Sequence, residues 1–231
     1  MLYQICVIRN PDYQCIDLYK DNDELLFNDI ADTWIKAAKT FYDLGLRYLQ
    51  IDDTSWSEFC SKEKSELYSS YGRDLQYTQE QYVKVINKIR DALPQDLTLT
   101  IHICRGNFRS TWFSSGGYEP VAKLLFGNCN VDAFFLEYDS DRTCDFKPLR
   151  FIKDQTVVLG LVTSKFPELE DKELIKKRIH EACEFLPLNQ LCLSTQCGFS
   201  LTEEGNILTQ EEQWAKIRLV CEIAHEVWQD A

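Results

Sequence analysis

The chain of 231 residues predicts an α/β protein built on a parallel sheet. Two observations carry this. Short apolar runs of strand length alternate with longer segments of helical period, as in repeated right-handed βαβ units. Several of these runs are also almost continuously apolar, as strands covered on both faces are. Six runs have this character, at residues 3–8, 47–51, 97–103, 131–136, 156–162 and 190–194. An open doubly wound sheet and a (β/α)8 barrel both fit. Six strands fall short of the eight that close a barrel, which typically takes about 250 residues.

The intervening helices follow in order. The first is predicted over about 23–44, with Leu26, Ile30, Trp34, Ala37, Phe41 and Leu44 on one stripe and Gly45 as its stop. Thr78 and Gln81 read as a capping box opening the second, whose stripe is Tyr82, Val85, Ile86, Ile89 and Leu93 before Pro94. A shorter helix is expected over about 119–126. Another spans about 171–186, with Ile175, Ile179, Ala182 and Leu186 inward. Thr209 and Glu212 form a second capping box, and Trp214, Ile217, Cys221, Ala224 and Trp228 make the stripe of the last helix. No linker or low-complexity tract divides the chain, so one domain over residues 1–231 is expected.

Composition narrows the partners. Lys and Arg number 25 against 37 Asp and Glu, a net charge of −12. Such a surface repels nucleic-acid backbones and anionic membranes. The ten cysteines show no disulfide framework and no C-x-x-C, and no signal-peptide pattern or long apolar span is present. A reducing cytoplasm is expected, with most cysteines, among them Cys6, Cys15, Cys183, Cys192 and Cys221, acting as small buried hydrophobes. Cys197-Gly-Phe-Ser200 spells the motif of monothiol glutaredoxins, but it lies too late in the chain for that fold.

In either parallel architecture the chemistry lies at the C-terminal ends of the strands. Those ends read Asp52 and Asp53; His102 and Cys104; Glu137, Tyr138 and Asp139; and Gln196, Cys197 and Gly198. His102 and Cys104, at i and i+2, share one face of a strand and can reach one ion. With Glu137 and Cys197 the set becomes N, S, O and S, which suits tetrahedral Zn²⁺. Taken alone, His102 and Cys104 fit a packed core as well as a metal site, and Asp52 and Asp53 fit helix caps. Glu137 is harder to place without a partner, because burying a carboxylate costs free energy.

At these residues the chain resembles the catalytic domain of cobalamin-independent methionine synthase, most of all the short bacterial members lacking the N-terminal duplicate domain. The resemblance runs through Tyr48-Leu-Gln-Ile-Asp-Asp-Thr54, His102-Ile-Cys-Arg-Gly-Asn107, Leu136-Glu-Tyr-Asp-Ser140, Leu159-Gly-Leu-Val-Thr-Ser-Lys165 and Leu193-Ser-Thr-Gln-Cys-Gly-Phe199. It implies a (β/α)8 TIM-barrel fold with zinc at its rim, held by His102, Cys104, Glu137 and Cys197. It implies methyl transfer from 5-methyltetrahydrofolate or a related donor to the thiol of homocysteine. Asp52 falls where the family holds the homocysteine amino group, and Glu58 falls near a donor-binding position. Lys165 stands where methionine synthases carry a histidine as proton donor.

Family members of this type also continue further upstream. The expectation is therefore the C-terminal portion of such a barrel, about six of eight βα units. Its open edges predict self-association or pairing with an N-terminal segment. A non-catalytic zinc-binding fragment and an alkyltransferase for a different small thiol are the rival readings.

Overall fold

The computed structural model of the chain describes residues 17–19 and 22–228. The expected strand at residues 3–8, together with Cys6 and Cys15, lies outside them. The described elements run α1 (Asp23–Asp43), β1 (Tyr48–Asp52), α2 (Ser55–Phe59), α3 (Lys62–Ser70), α4 (Leu75–Ala92) and β2 (Thr98–Ile103). They continue with α5 (Glu119–Asn128), β3 (Ala133–Glu137), β4 (Thr156–Val162), α6 (Lys172–Ala182), β5 (Leu191–Thr195) and α7 (Gln210–Val227). Two 3-10 turns, Asp141–Thr143 and Lys147–Phe151, stand in for a helix between β3 and β4, the second packing beside α5.

The five strands pair in chain order, each parallel to the next. A doubly wound sheet reverses its order at a switch point. This order never reverses, so the winding is that of a (β/α)8 barrel, and among the described residues the sheet is not closed.

Period two divides the strands into two faces. Ile51, Leu99, Ile101, Ile103, Phe134, Leu136, Val157, Leu159, Leu161 and Leu191 form one buried core with Tyr82, Ile86, Ile89, Val121, Leu125, Phe126, Ile175 and Ile179 of the helices. Each such side chain contributes roughly 1.5–3 kcal/mol on burial. The alternate residues point to the other face. The expectation of strands buried on both faces holds for β2, β3 and β4 and fails at the edges. Tyr48, Gln50 and Asp52 of β1 are exposed, as is Cys192 of β5. No further described strand curls over them.

Several expected helix details shift. Asp74, not Thr78, caps α4: its carboxylate accepts from the Tyr77 N–H at 2.9 Å, while Thr78 donates back to the Asp74 carbonyl from inside the helix. Gly45 does end α1, at φ +106°. The buried stripe of α1 is Leu26, Phe27, Ala31 and Ala38, and Phe41 and Leu44 face solvent. In α7 the inward residues are Lys216, Leu219 and Ile223, so Trp214 and Cys221 are exposed. Lys216 turns that face inward because Glu170 and the Glu168 carbonyl satisfy its ammonium. The capping boxes are thus reduced to one, at Thr209 and Glu212.

Cys183 is half-buried, and Cys192, Cys144 and Cys221 are exposed, against the expectation that most cysteines outside the rim are core. Cys60 and Cys129 are buried. All the described cysteines are free thiols. Among the described residues no helix is long and apolar enough to cross a membrane.

Candidate metal centre

Three strand ends converge at one rim. His102 lies inside β2 and Cys104 one residue past its end; Glu137 closes β3; Cys197 follows β5 by two residues. Glycine makes this convergence possible. Gly160 of β4 lies in register with Glu137, at a bulge in the pairing with β5. A Cβ there would stand 2.8 Å from the Gln196 Cα and 3.0 Å from the Leu136 carbonyl oxygen. The ends of β3 and β5 therefore close over β4, and their side chains meet across it.

The ligand atoms of His102, Cys104, Glu137 and Cys197 all lie within 4.8 Å of one another, and all four residues are buried. The thiols are 3.9 Å apart, Cys197 Sγ is 3.6 Å from His102 Nε2, and His102 Nε2 is 3.8 Å from Glu137 Oε1. A tetrahedral ion with Zn–S of about 2.3 Å and Zn–N of about 2.0–2.1 Å needs ligand separations of roughly 3.8 Å for S···S and 3.5 Å for S···N. The set meets those two spacings.

The surroundings prepare each group. His102 Nδ1 lies 3.3 Å from the Phe135 carbonyl oxygen, a contact that keeps the hydrogen on Nδ1 as donor and leaves Nε2 for the cluster. Glu137 Oε1 accepts the Arg105 N–H at 2.8 Å, while Oε2 is buried without a hydrogen-bond partner. The Gly106 N–H donates to Cys104 Sγ at 3.3 Å. Such a buried orphan oxygen among two thiols and an imidazole fits a cation.

Without an ion the cluster retains protons. The hydrogen bond from Cys197 and then burial push the Cys104 thiol up. Burial pushes the Glu137 carboxyl up, with His102 opposing. Burial disfavours the charged imidazole of His102, yet Cys104, Asp52 and Glu137 outweigh it and push its pKa up to about 9.

The other expected site residues fall differently. Asp52 is exposed at the end of β1, in register with His102, so the rim brings it to the cluster. Glu58 lies one element away in α2, buried, accepting from the Tyr68 hydroxyl and 3.8 Å from Lys64 Nζ. Lys165 is buried, and its ammonium donates to the Gly106 carbonyl, Asn107 Oδ1 and the Thr111 carbonyl. Sequence reasoning missed Arg105, whose backbone holds Glu137 while its buried guanidinium lies 4.5 Å from the Tyr118 ring centre. It missed Tyr118 too, whose hydroxyl takes the Glu137 N–H at 3.0 Å. Neither residue type signals a site by itself, and both act through partners distant in sequence.

Fold and cluster together define a class: an α/β protein of (β/α)8-barrel type with a buried His-Cys-Glu-Cys set at its rim. No protein-family model matches the chain. It is 53% identical over 213 residues to the uncharacterized protein YxjH of Bacillus subtilis and 49% identical over 214 residues to the uncharacterized protein YxjG of that organism. Those matches cover 91% and 92% of this chain but 56% and 57% of the relatives, so the chain spans little more than half their length.

A Listeria monocytogenes structure, provisionally described as a vitamin-B12-independent methionine synthase, is 43% identical with a TM-score of 0.71, over 92% of this chain and 58% of that one. A B12-independent methionine synthase from a Shewanella species, solved with selenomethionine, shares the fold at 20% identity and a TM-score of 0.67, over 93% of this chain and 57% of that one. The chain is thus similar to the cobalamin-independent methionine synthases, as the motifs at the strand ends imply.

Proposed function

We propose that this chain carries the zinc-dependent methyl-transfer site of a methionine-synthase-like enzyme, moving a methyl group from 5-methyltetrahydrofolate or a related donor to homocysteine. The observation that supports this most is the buried His102, Cys104, Glu137 and Cys197 set, with the spacing a tetrahedral ion needs. The likeness to the Listeria structure gives that set its context. We place the enzyme in the cytoplasm, where free thiols persist.

A free thiol has a pKa near 8.5 and is mostly protonated at neutral pH, whereas the thiolate is the nucleophile. His102, Cys104, Glu137 and Cys197 would hold Zn²⁺, which when bound would supply the Lewis acidity that lowers the pKa of a substrate thiol. The residues of the chain do the rest. Asp52 meets the substrate ammonium at the rim, beside His102. The sulfur forms its bond to the methyl carbon, and the carbon–nitrogen bond breaks with its electron pair going to the donor nitrogen, which takes a proton from solvent in place of the one the thiol releases to solvent. Glu137 would hold the ion through a carboxylate whose Oε1 the Arg105 N–H already shares.

The test is methionine formation by the reduced, zinc-supplemented chain from homocysteine, with mono- and polyglutamylated methyltetrahydrofolate. Methionine is expected, lost in Cys104→Ser, and Asp52→Asn is expected to raise the KM for homocysteine about tenfold while sparing kcat, as loss of one charge-assisted contact does. Bound zinc with no methionine from any methyl donor overturns this reading in favour of a non-catalytic metal-binding unit or of a different thiol.

A further inference from the structure

Cys104 and Cys197 both lie beyond the last paired residues of their strands, Ile103 and Thr195. The sheet ladder therefore does not fix the distance between their thiols. A buried polar relay joins the two loops behind them. Lys165, only 1% exposed to solvent, donates to the Gly106 carbonyl at 3.0 Å, Asn107 Oδ1 at 3.1 Å and the Thr111 carbonyl at 2.8 Å. All three acceptors lie in the loop leaving Cys104. Asn107 Nδ2 passes the connection on, donating at 2.7 Å to the carbonyl of Gly198, the residue after Cys197. On the other side of Cys197, Gln196 Oε1 accepts from the Ser164 N–H at 2.9 Å and its hydroxyl at 3.0 Å. Asn206 Nδ2 closes the set on the Ser164 carbonyl at 2.9 Å.

We propose that Lys165 and Asn107 are positioning residues for the metal centre: an ammonium–amide relay that sets the separation of the Cys104 and Cys197 thiols. The inference deepens the metal-centre reading and rests on it. Metal ligands must be held within about 0.5 Å of productive geometry, and irregular loops do this only when other groups lock them. An ammonium suits the task. It offers three radiating donors and no acceptor, so it gathers oxygens from one loop around a single point. It also brings a cation close to a site whose two thiolates and carboxylate outweigh the charge of a divalent ion. The relay uses all three of its donors, as a brace does.

The test is titration of the reduced, metal-free chain with Co²⁺, reading affinity by chelator competition and geometry by thiolate-to-cobalt charge transfer and visible d–d bands. Wild type is expected to bind one Co²⁺ with a tetrahedral, two-thiolate spectrum. Lys165→Met is expected to bind at least tenfold more weakly, with reduced charge-transfer intensity per bound ion. Asn107→Asp keeps the oxygen that Lys165 reaches and removes the donor to Gly198. It is expected to weaken binding about threefold to tenfold with the same spectral change, and it decides the matter alone where Lys165→Met does not fold. Variants with wild-type affinity and spectrum overturn the inference, including variants that only melt earlier. A wild type that takes up no Co²⁺ overturns the metal-centre reading, and this inference with it.

Discussion

The two faces of the sheet are made of alternate residues of the same five strands, and they obey different rules. On the face toward the helices, Leu99, Ile101, Phe134, Leu136, Val157 and Leu159 are fully or almost fully buried and wholly apolar. On the other face stand Gln50, Asp52, Thr100, His102, Phe135, Glu137 and Ser194, and its polar members gather toward the strand ends. The first face depends on volume and packing, so its residues are interchangeable within limits of shape. The second depends on which atom stands where. His102 and Ile101 are neighbours in sequence, yet one holds the fold and the other a cluster.

That contrast can be broken by mutation. Phe134→Ala is expected to cost about 3–5 kcal/mol of unfolding free energy, as deletion of a buried aromatic does; chemical denaturation checks it. Cys197→Ser, on the other face, is expected to cost under about 1 kcal/mol in the metal-free protein, a near-isosteric change, and to weaken zinc binding at least a hundredfold. If the two variants lose stability equally, the faces do not divide labour as described. Gly160→Ala joins them, because its Cβ meets backbone on both sides. It is expected to lower both stability and metal affinity, the latter about tenfold, read by the same competition assay.

Acidity sharpens the contrast further. In the metal-free fold His102 is raised to about 9, and Cys104 and Glu137 are raised as well, so each holds its proton to higher pH than an ordinary side chain. An ion must displace those protons, so its apparent affinity rises with pH. Zinc affinity is expected to climb at least tenfold from pH 6.5 to 7.5, and a pH-independent affinity contradicts the assignment. For folding of the metal-free protein the His102 shift works in the opposite direction. The stabilising contribution of protonated His102 is fully present below about pH 6.5 and is lost as pH rises through about 9. The smallest effect belongs to the periphery: Thr209→Ala, which removes the capping box of α7, is expected to cost about 1 kcal/mol in thermal unfolding.

Much of this was legible in the sequence because it is local. The spacing of His102 and Cys104, the carboxylate ending the run at Ala133–Glu137, and Cys197 just beyond β5 are readable from strand period alone. The capping box at Thr209 and Glu212 is equally local. What was not legible depends on distant partners. Helices α2 and α3 are too short to show a period. Thr78 and Gln81 imitate a capping box one turn inside a helix that Asp74 starts. Lys216 faces inward only because Glu170 meets it, and Lys165 braces a loop 58 residues away. The doubly wound alternative fell only when the strand order was seen.

The central claim is that His102, Cys104, Glu137 and Cys197 hold one zinc ion between them. X-ray absorption at the zinc edge of the reduced, zinc-loaded chain tests it most directly. The account predicts one zinc per chain with two sulfur neighbours at about 2.3 Å and two or fewer nitrogen or oxygen neighbours from the protein at about 2.0–2.2 Å. Zinc surrounded by nitrogen and oxygen alone, or a folded, reduced chain that takes up none, would contradict it.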